Sequence, residues 1–311
     1  MRLGFSVRIL GRPDLPAYDP RQGTPGAQLS MNLAYLRDIF YYLGQVQIHM
    51  YRLHSGVATP LAVLGPEERR RELETWAAEL EAVGQWAREY DLRLSFHPYS
   101  VVMFSAPSEE QWLRSEAYLQ AQAALLDALG QGPEAVIVVH VGGVYDDAAS
   151  ARERFARRYE ALPEAVRRRV VLEHDDHRFS LADVLAIHRA CGVPLVFDYL
   201  HHWLLNPAGL PWTEALSLAL ATWPADRTPK VHFATPRTEL RPLEGTARLK
   251  APTWTEHSDY VNPFEWITFL RHTEGLRPFD VMLEAKGRDL ALLQVRRDVQ
   301  RFAPDLATRL Q

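Results

Sequence analysis

Short runs rich in Val, Ile, Leu and Phe recur along the chain, and between them lie longer stretches whose apolar residues fall three and four apart. The first pattern belongs to buried β-strands and the second to amphipathic helices, so their alternation predicts βα units. Strands are expected at 2–7, 46–53, 92–96, 135–139, 169–172, 194–197, 230–234 and 279–283. Helices are expected at 29–43, 66–90, 108–129, 147–162, 180–191, 212–222, 263–272 and 289–302, with Gly44, Gly130 and Gly192 as left-handed caps. Eight such units in 311 residues predict an α/β protein: a single (β/α)8 TIM-barrel domain over 1–311, with its active site at the C-terminal ends of the strands. Two stretches, 11–26 and 235–259, are too long for plain connections and are expected to serve the active face.

Composition adds mainly exclusions. Hydrophobic residues make up 47% and charged residues 24%, which is ordinary for a globular chain. The net charge of −4 carries none of the overall basicity of many nucleic-acid binders, so contact with a polyanion has to come from a local face or from bound cations. Cys191 is the only cysteine, which excludes an internal disulfide and fits a reducing cytoplasm. The N-terminus lacks a signal-peptide pattern, and no apolar run is long enough to span a bilayer. A cytoplasmic monomer without membrane or protein partners is expected. The arginine clusters 69–71, 152–158 and 167–169 are expected on solvated outer faces.

The informative chemistry stands where the strands end. His97, His140, Glu173, Asp198 and Glu284 each follow an apolar strand, His201 and His202 come just after Asp198, and Lys230 and His232 lie within the seventh strand. Six consecutive strands thus deliver a side chain able to bind a metal. Burying charge without partners is costly, and convergence on a cation removes that cost, because carboxylates and neutral imidazoles both coordinate Mn²⁺ or Zn²⁺. With His257 from the long loop there are too many donors for one ion. At least two are expected, with Glu173 or Glu284 suited to bridge them. Asp198 and His201 can meet at one ion if the chain turns after the strand, leaving His202 facing elsewhere. Lys230 and Lys286 could bind a phosphate or stabilise developing negative charge. Tyr99, Tyr145, Tyr199 and Trp203 follow strands on the active face and are candidates for stacking on nucleotides.

An ordered series of short motifs resembles the UV damage endonuclease family, which is similar in barrel and metal site to endonuclease IV. It runs through Asn32-Leu33, Tyr51-Arg52, His97-Pro98, His140-Val141-Gly142-Gly143, Leu172-Glu173 with Asp175, Phe197-Asp198 with His201-His202, Lys230-Val231-His232, His257-Ser258-Asp259-Tyr260 and Glu284-Ala285-Lys286. The resemblance implies a DNA repair endonuclease that nicks damaged duplex DNA 5′ to UV lesions such as pyrimidine dimers. It implies two or three divalent ions, manganese foremost, with zinc, magnesium and cobalt as alternatives. The implied ligands are His97, His140, Glu173, Asp198, His201, His232, His257 and Glu284. The catalytic set is Glu173, Lys230 and Glu284, with Lys230 in or beside the metal shell, and Tyr99, Ser100, Tyr145 and Lys286 are expected to touch DNA or the lesion.

The chain departs from the family pattern in four places. A ligand histidine expected after Tyr51-Arg52 is missing from 59–64, Phe5 replaces a tyrosine, Glu173-His174-Asp175 replaces Glu-Asn-Asp, and Tyr99-Ser100-Val101 stands where a Gly-Gln pair and a probing aromatic are usual. Tyr99 could take over the wedge. Two other readings compete: a xylose-isomerase-like sugar isomerase or epimerase, whose sites lean on carboxylates with fewer histidines, and a lesion-binding protein that does not cut.

Overall fold

The computed structural model describes residues 1–311 except 22, 99–101, 244 and 311. Among the described residues ten strands are formed: β1 (Leu3–Ser6), β2 (Met50–Arg52), β3 (Arg93–Phe96), β4 (Val136–Val139), β5 (Val170–Glu173), β6 (Leu195–Asp198), β7 (Lys230–Phe233), β8 (Arg241–Pro242), β9 (Leu249–Lys250) and β10 (Asp280–Leu283). Eight of them close into a parallel barrel in the order β1-β10-β7-β6-β5-β4-β3-β2. The registers Phe5↔Leu283 and Gly4↔Met50 seal the first strand between the last and the second. The expected (β/α)8 barrel is therefore formed.

Side chains alternate along a strand, so residues two apart share a face. Contacts between strands that are not neighbours show which face is the lumen. Arg93 on β3 pairs with Asp280 on β10 at 3.0 Å at the N-terminal end, and one layer up Lys230 on β7 donates to Ser95 on β3 at 2.8 Å. The next layer is the strand-end site. Val136, Val138, Val171 and Val196 form a separate buried cluster with Trp223. The same alternation that packs the barrel interior therefore carries polar side chains to its upper rim.

Several boundaries moved. The expected helix 66–90 is two helices, Pro66–Thr75 and Ala77–Glu89, broken at Trp76, whose ψ of 20° leaves the helical region and whose indole donates to Glu72. The expected strand 46–53 shrinks to Met50–Arg52, because Gln47 takes a positive φ of 54°. The first helix begins earlier, at Pro25, capped by Thr24. Gly130 and Gly192 take the left-handed conformation, whereas Gly44 stays within the first helix. The long 235–259 stretch holds the antiparallel pair β8–β9 and is tied back by a bridge between Pro236 and His257.

The arginine clusters are corrected in part. Arg69 is buried and donates to the Leu61 and Leu64 carbonyls, Arg158 to those of Phe104 and Ala106, and Arg169 to those of Gly132, Ala135 and Gln131. Their forked donors satisfy loop carbonyls that would otherwise be orphaned in the interior. Among the described residues, no helix is long and apolar enough to cross a membrane.

Candidate metal centre

Glu173, at the end of β5 and almost fully buried, lies at the middle of the cluster. Its Oε2 is 3.2 Å from His97 Nε2 and 3.7 Å from His140 Nε2. Its Oε1 lies 2.8 Å from His232 Nδ1 and 3.4 Å from His201 Nδ1. His232 Nδ1 is also 3.3 Å from Glu284, and His257 Nδ1 is 3.7 Å from the other Glu284 oxygen. Three groups result: His97, His140 and Glu173; Glu173, Asp198 and His201; and Asp198, His232 and Glu284. Within each, the donor atoms lie within 4.8 Å of one another. They share Glu173 and Asp198, so adjoining cation positions would share carboxylates.

Backbone carbonyls fix which nitrogen carries the proton in three of the rings. His140 Nδ1 lies 3.2 Å from the Glu173 carbonyl, His201 Nδ1 3.0 Å from the His174 carbonyl, and His257 Nδ1 2.8 Å from the Glu284 carbonyl. A carbonyl only accepts, so each ring donates from Nδ1, and in the neutral form keeps the Nε2 lone pair for a ligand, as metal-binding histidines do. Asp198 uses Oδ1 to accept the His201 N–H at 2.8 Å, capping the helix Tyr199–Leu204, while its buried Oδ2 takes no hydrogen bond. Glu173 Oε2 likewise takes none. Buried carboxylate oxygens left without donors are costly. A divalent cation satisfies them, and the residues fit one.

The electrostatics agree. Burial pushes the Glu173 carboxyl well above its ordinary range, and nearby Glu284 adds to this. For Glu284 burial pulls upward, but Arg52, His232 and His257 together hold it well below. Burial keeps His97 and His232 neutral and brings His140 down to about 4, whereas His201 rises to about 9 because Asp198, Glu173 and Glu284 outweigh burial. Carboxylates this close cannot all ionise without compensating positive charge.

The remaining expected residues fall in different places. Lys230 lies beneath His232, donating to Ser95, and burial holds its ammonium well below the ordinary range. His202 turns away to the Leu210 carbonyl at 2.9 Å, as the spacing predicts. Lys286 is exposed and lines the same cavity of about 850 Å³ as His97, His140, Glu173, His201, His257 and Glu284. Tyr145, 45% exposed, stands on its rim with a φ of 59° beneath the Arg154 guanidinium. Tyr99 and Ser100 lie outside the described residues. Tyr199 is not available for stacking: it is buried, 4.7 Å from Phe233. Gly142, at φ 108°, lets the loop after His140 close over Ser105, which donates to Gly143 at 2.7 Å.

Other site residues had no assigned role in the sequence reading. Arg52 donates to Glu284 and lies 2.9 Å from His232 Nε2, filling the side of the cavity to which 59–64 contributes no lining residue. His174 Nε2 accepts the Asp198 N–H at 3.0 Å, bracing two ligands at once. Arg52 was within reach of the alternation rule, since it lies two residues after the inward Met50. His174 was not, because its ring points sideways from a loop.

A family model described as UV-endonuclease UvdE matches residues 27–306. The UV DNA damage endonuclease of Bacillus mycoides is 32% identical over 267 residues, covering 85% of this chain and 79% of that protein. The crystal structure of SacUVDE superimposes with a TM-score of 0.79 at 25% identity, covering 97% of this chain and 98% of the other. Endonuclease IV from Thermus thermophilus shares the fold, with a TM-score of 0.56 at 15% identity over 97% of this chain and 100% of its own.

Proposed function

The chain belongs to the UV-endonuclease UvdE family, and from that premise we propose that it cuts damaged duplex DNA 5′ to ultraviolet lesions such as pyrimidine dimers, acting as a single-domain monomer with two or three divalent ions, Mn²⁺ foremost. The observation that carries this is the run of three donor groups joined through Glu173 and Asp198 on the C-terminal rim of a closed barrel. His97, His140, Glu173, Asp198, His201, His232, His257 and Glu284 would hold the ions. When bound, divalent ions polarise a phosphodiester and lower the pKa of a coordinated water.

The chain's own groups do the rest. The carbonyls of Glu173, His174 and Glu284 hold the Nδ1 atoms of His140, His201 and His257, which leaves Nε2 of each neutral ring to coordinate. Arg52 keeps Glu284 ionised and positioned beside His232. Lys230 supports the floor from beneath, and Tyr145, with Tyr99 and Ser100, would meet the displaced bases, which cost less to unstack at a lesion than in intact DNA.

The test is incision of ultraviolet-irradiated supercoiled plasmid with Mn²⁺. Nicking is expected on irradiated plasmid and not on unirradiated plasmid, and Glu173→Gln is expected to lose incision while still retarding irradiated duplex. Ketose–aldose conversion without nicking would replace this function with an isomerase, and binding without incision under any metal would make the chain a lesion binder that does not cut.

A further inference from the structure

The two walls of the site cavity differ in charge, and one of them is not used by the ligand set. On the β5 side stand Asp175 and Asp176, with His177 next to them. On the side of β1 and β10 stand Ser6, Arg288 and Lys286, and the exposed Arg8, which does not line the cavity, is near enough to Arg288 to act on its charge. Arg288 is half-buried, and its guanidinium donates to the Ser6 hydroxyl. Among the described residues, no carboxylate lies within ion-pair distance of Arg288, Lys286 or Arg8. Arg52, by contrast, is taken up by Glu284.

The backbone holds this wall in place under strain. Val7 has a φ of 69°, a conformation that a β-branched residue rarely adopts, and Arg288 has a φ of 51°. The Val7 turn is locked at both ends: its N–H donates to the Arg52 carbonyl at 2.9 Å, and its own carbonyl accepts from the Tyr51 hydroxyl at 2.6 Å. Such strain persists where the surroundings over-determine it, and it clusters where geometry serves a ligand. Burial disfavours the charged Arg288 guanidinium, Glu284 favours it, and Arg52 and Arg8 add to the disfavour. A half-buried guanidinium set among other cations gains most from an anion that can accept its forked donors.

We propose that Arg288, Lys286 and Arg8 form a phosphate subsite, with Ser6 as the residue that positions Arg288, and that it takes a backbone phosphodiester neighbouring the one that is cut. This rests on the endonuclease reading and adds to it the side of the site along which the DNA strand runs. The acidic wall opposite repels a second phosphate, so the strand is held in one lane.

Single-turnover incision of a duplex bearing one pyrimidine dimer tests this, with the Mn²⁺-loaded full chain and with Arg288→Gln, Arg288→Lys and Lys286→Gln. Arg288→Gln is expected to raise the half-saturating protein concentration about tenfold, with metal content and the saturated incision rate unchanged within about twofold. Arg288→Lys, which keeps the charge, recovers most of that loss. Neutral methylphosphonate linkages placed one at a time around the incision point should reveal one position that weakens the wild type to a similar extent and weakens Arg288→Gln no further.

Should every neutral linkage add its full loss on Arg288→Gln, the subsite is overturned while the endonuclease reading stands. A wild type that does not incise the dimer duplex overturns both. The exposed Lys286→Gln carries the same pairing test should Arg288→Gln fail to fold, and unchanged half-saturation in a folded Arg288→Gln also overturns the subsite.

Discussion

Glu173 and the ring of imidazoles around it were legible residue by residue, because a polar side chain at the end of an apolar parallel strand has few reasons to be there. Arg52 obeys the same alternation, but an arginine is no metal ligand, and only its contact with Glu284 reveals its place. Arg69, Arg158 and Arg169 were misjudged for a different reason: a long stem can run inward from a helix or a strand start, and sequence spacing does not say which carbonyls lack donors. At this scale His201 gives a prediction. Its pKa of about 9 in the metal-free site is raised above its ordinary value, foremost by Asp198, so that interaction stabilises the metal-free fold fully below about pH 6.5 and fades as pH rises through 9. Metal affinity moves the other way, since the ring must shed its proton to coordinate. Isothermal titration with Mn²⁺ is expected to show affinity rising with pH, by up to about tenfold per unit between pH 7 and 9 for one released proton. A flat profile would remove His201 from the ligands.

Among the elements, the barrel strands were found from hydrophobic runs alone, because each is buried on both faces. What periodicity could not show was local backbone choice. The break at Trp76 keeps the apolar spacing of a continuous helix on either side, and the short helix Tyr199–Leu204 is set by the Asp198 cap rather than by an apolar stripe. The hairpin β8–β9 was hidden in a stretch too polar to read as strands. It exposes Leu240, Leu243, Leu249 and Trp254 beside Arg241 and Lys250, which both pair with Glu256. An exposed tip with few buried contacts contributes little to the fold. Replacing 240–250 with a short Gly-Ser linker, which leaves the Pro236–His257 bridge in place, is expected to cost less than about 1 kcal/mol in thermal melting and to weaken binding of irradiated duplex severalfold by fluorescence anisotropy. Unchanged affinity would confine DNA contact to the barrel rim.

At the scale of the whole molecule, function follows from layering. The Arg93–Asp280 pair closes the N-terminal end, Lys230 and Ser95 fill the middle, and the candidate metal ligands crown the C-terminal end, where the connecting loops leave an open mouth. The net charge of −4 hides this arrangement, because the positive wall of Arg288, Lys286 and Arg8 is local and the acidic ligands are interior. Composition therefore carried little of the function; strand-end chemistry carried the candidate metal site, and the family resemblance carried DNA and the lesion. The claim on which everything else depends is that the three donor groups are one metal centre. An anomalous-scattering map from a manganese-soaked crystal tests it most directly. The expected result is at least two peaks, one between His97, His140 and Glu173 and another at Glu173, Asp198 and His201 or at Asp198, His232 and Glu284. A map with no peak there, or with manganese only at the rim group Asp175, Asp176 and His177, would contradict it.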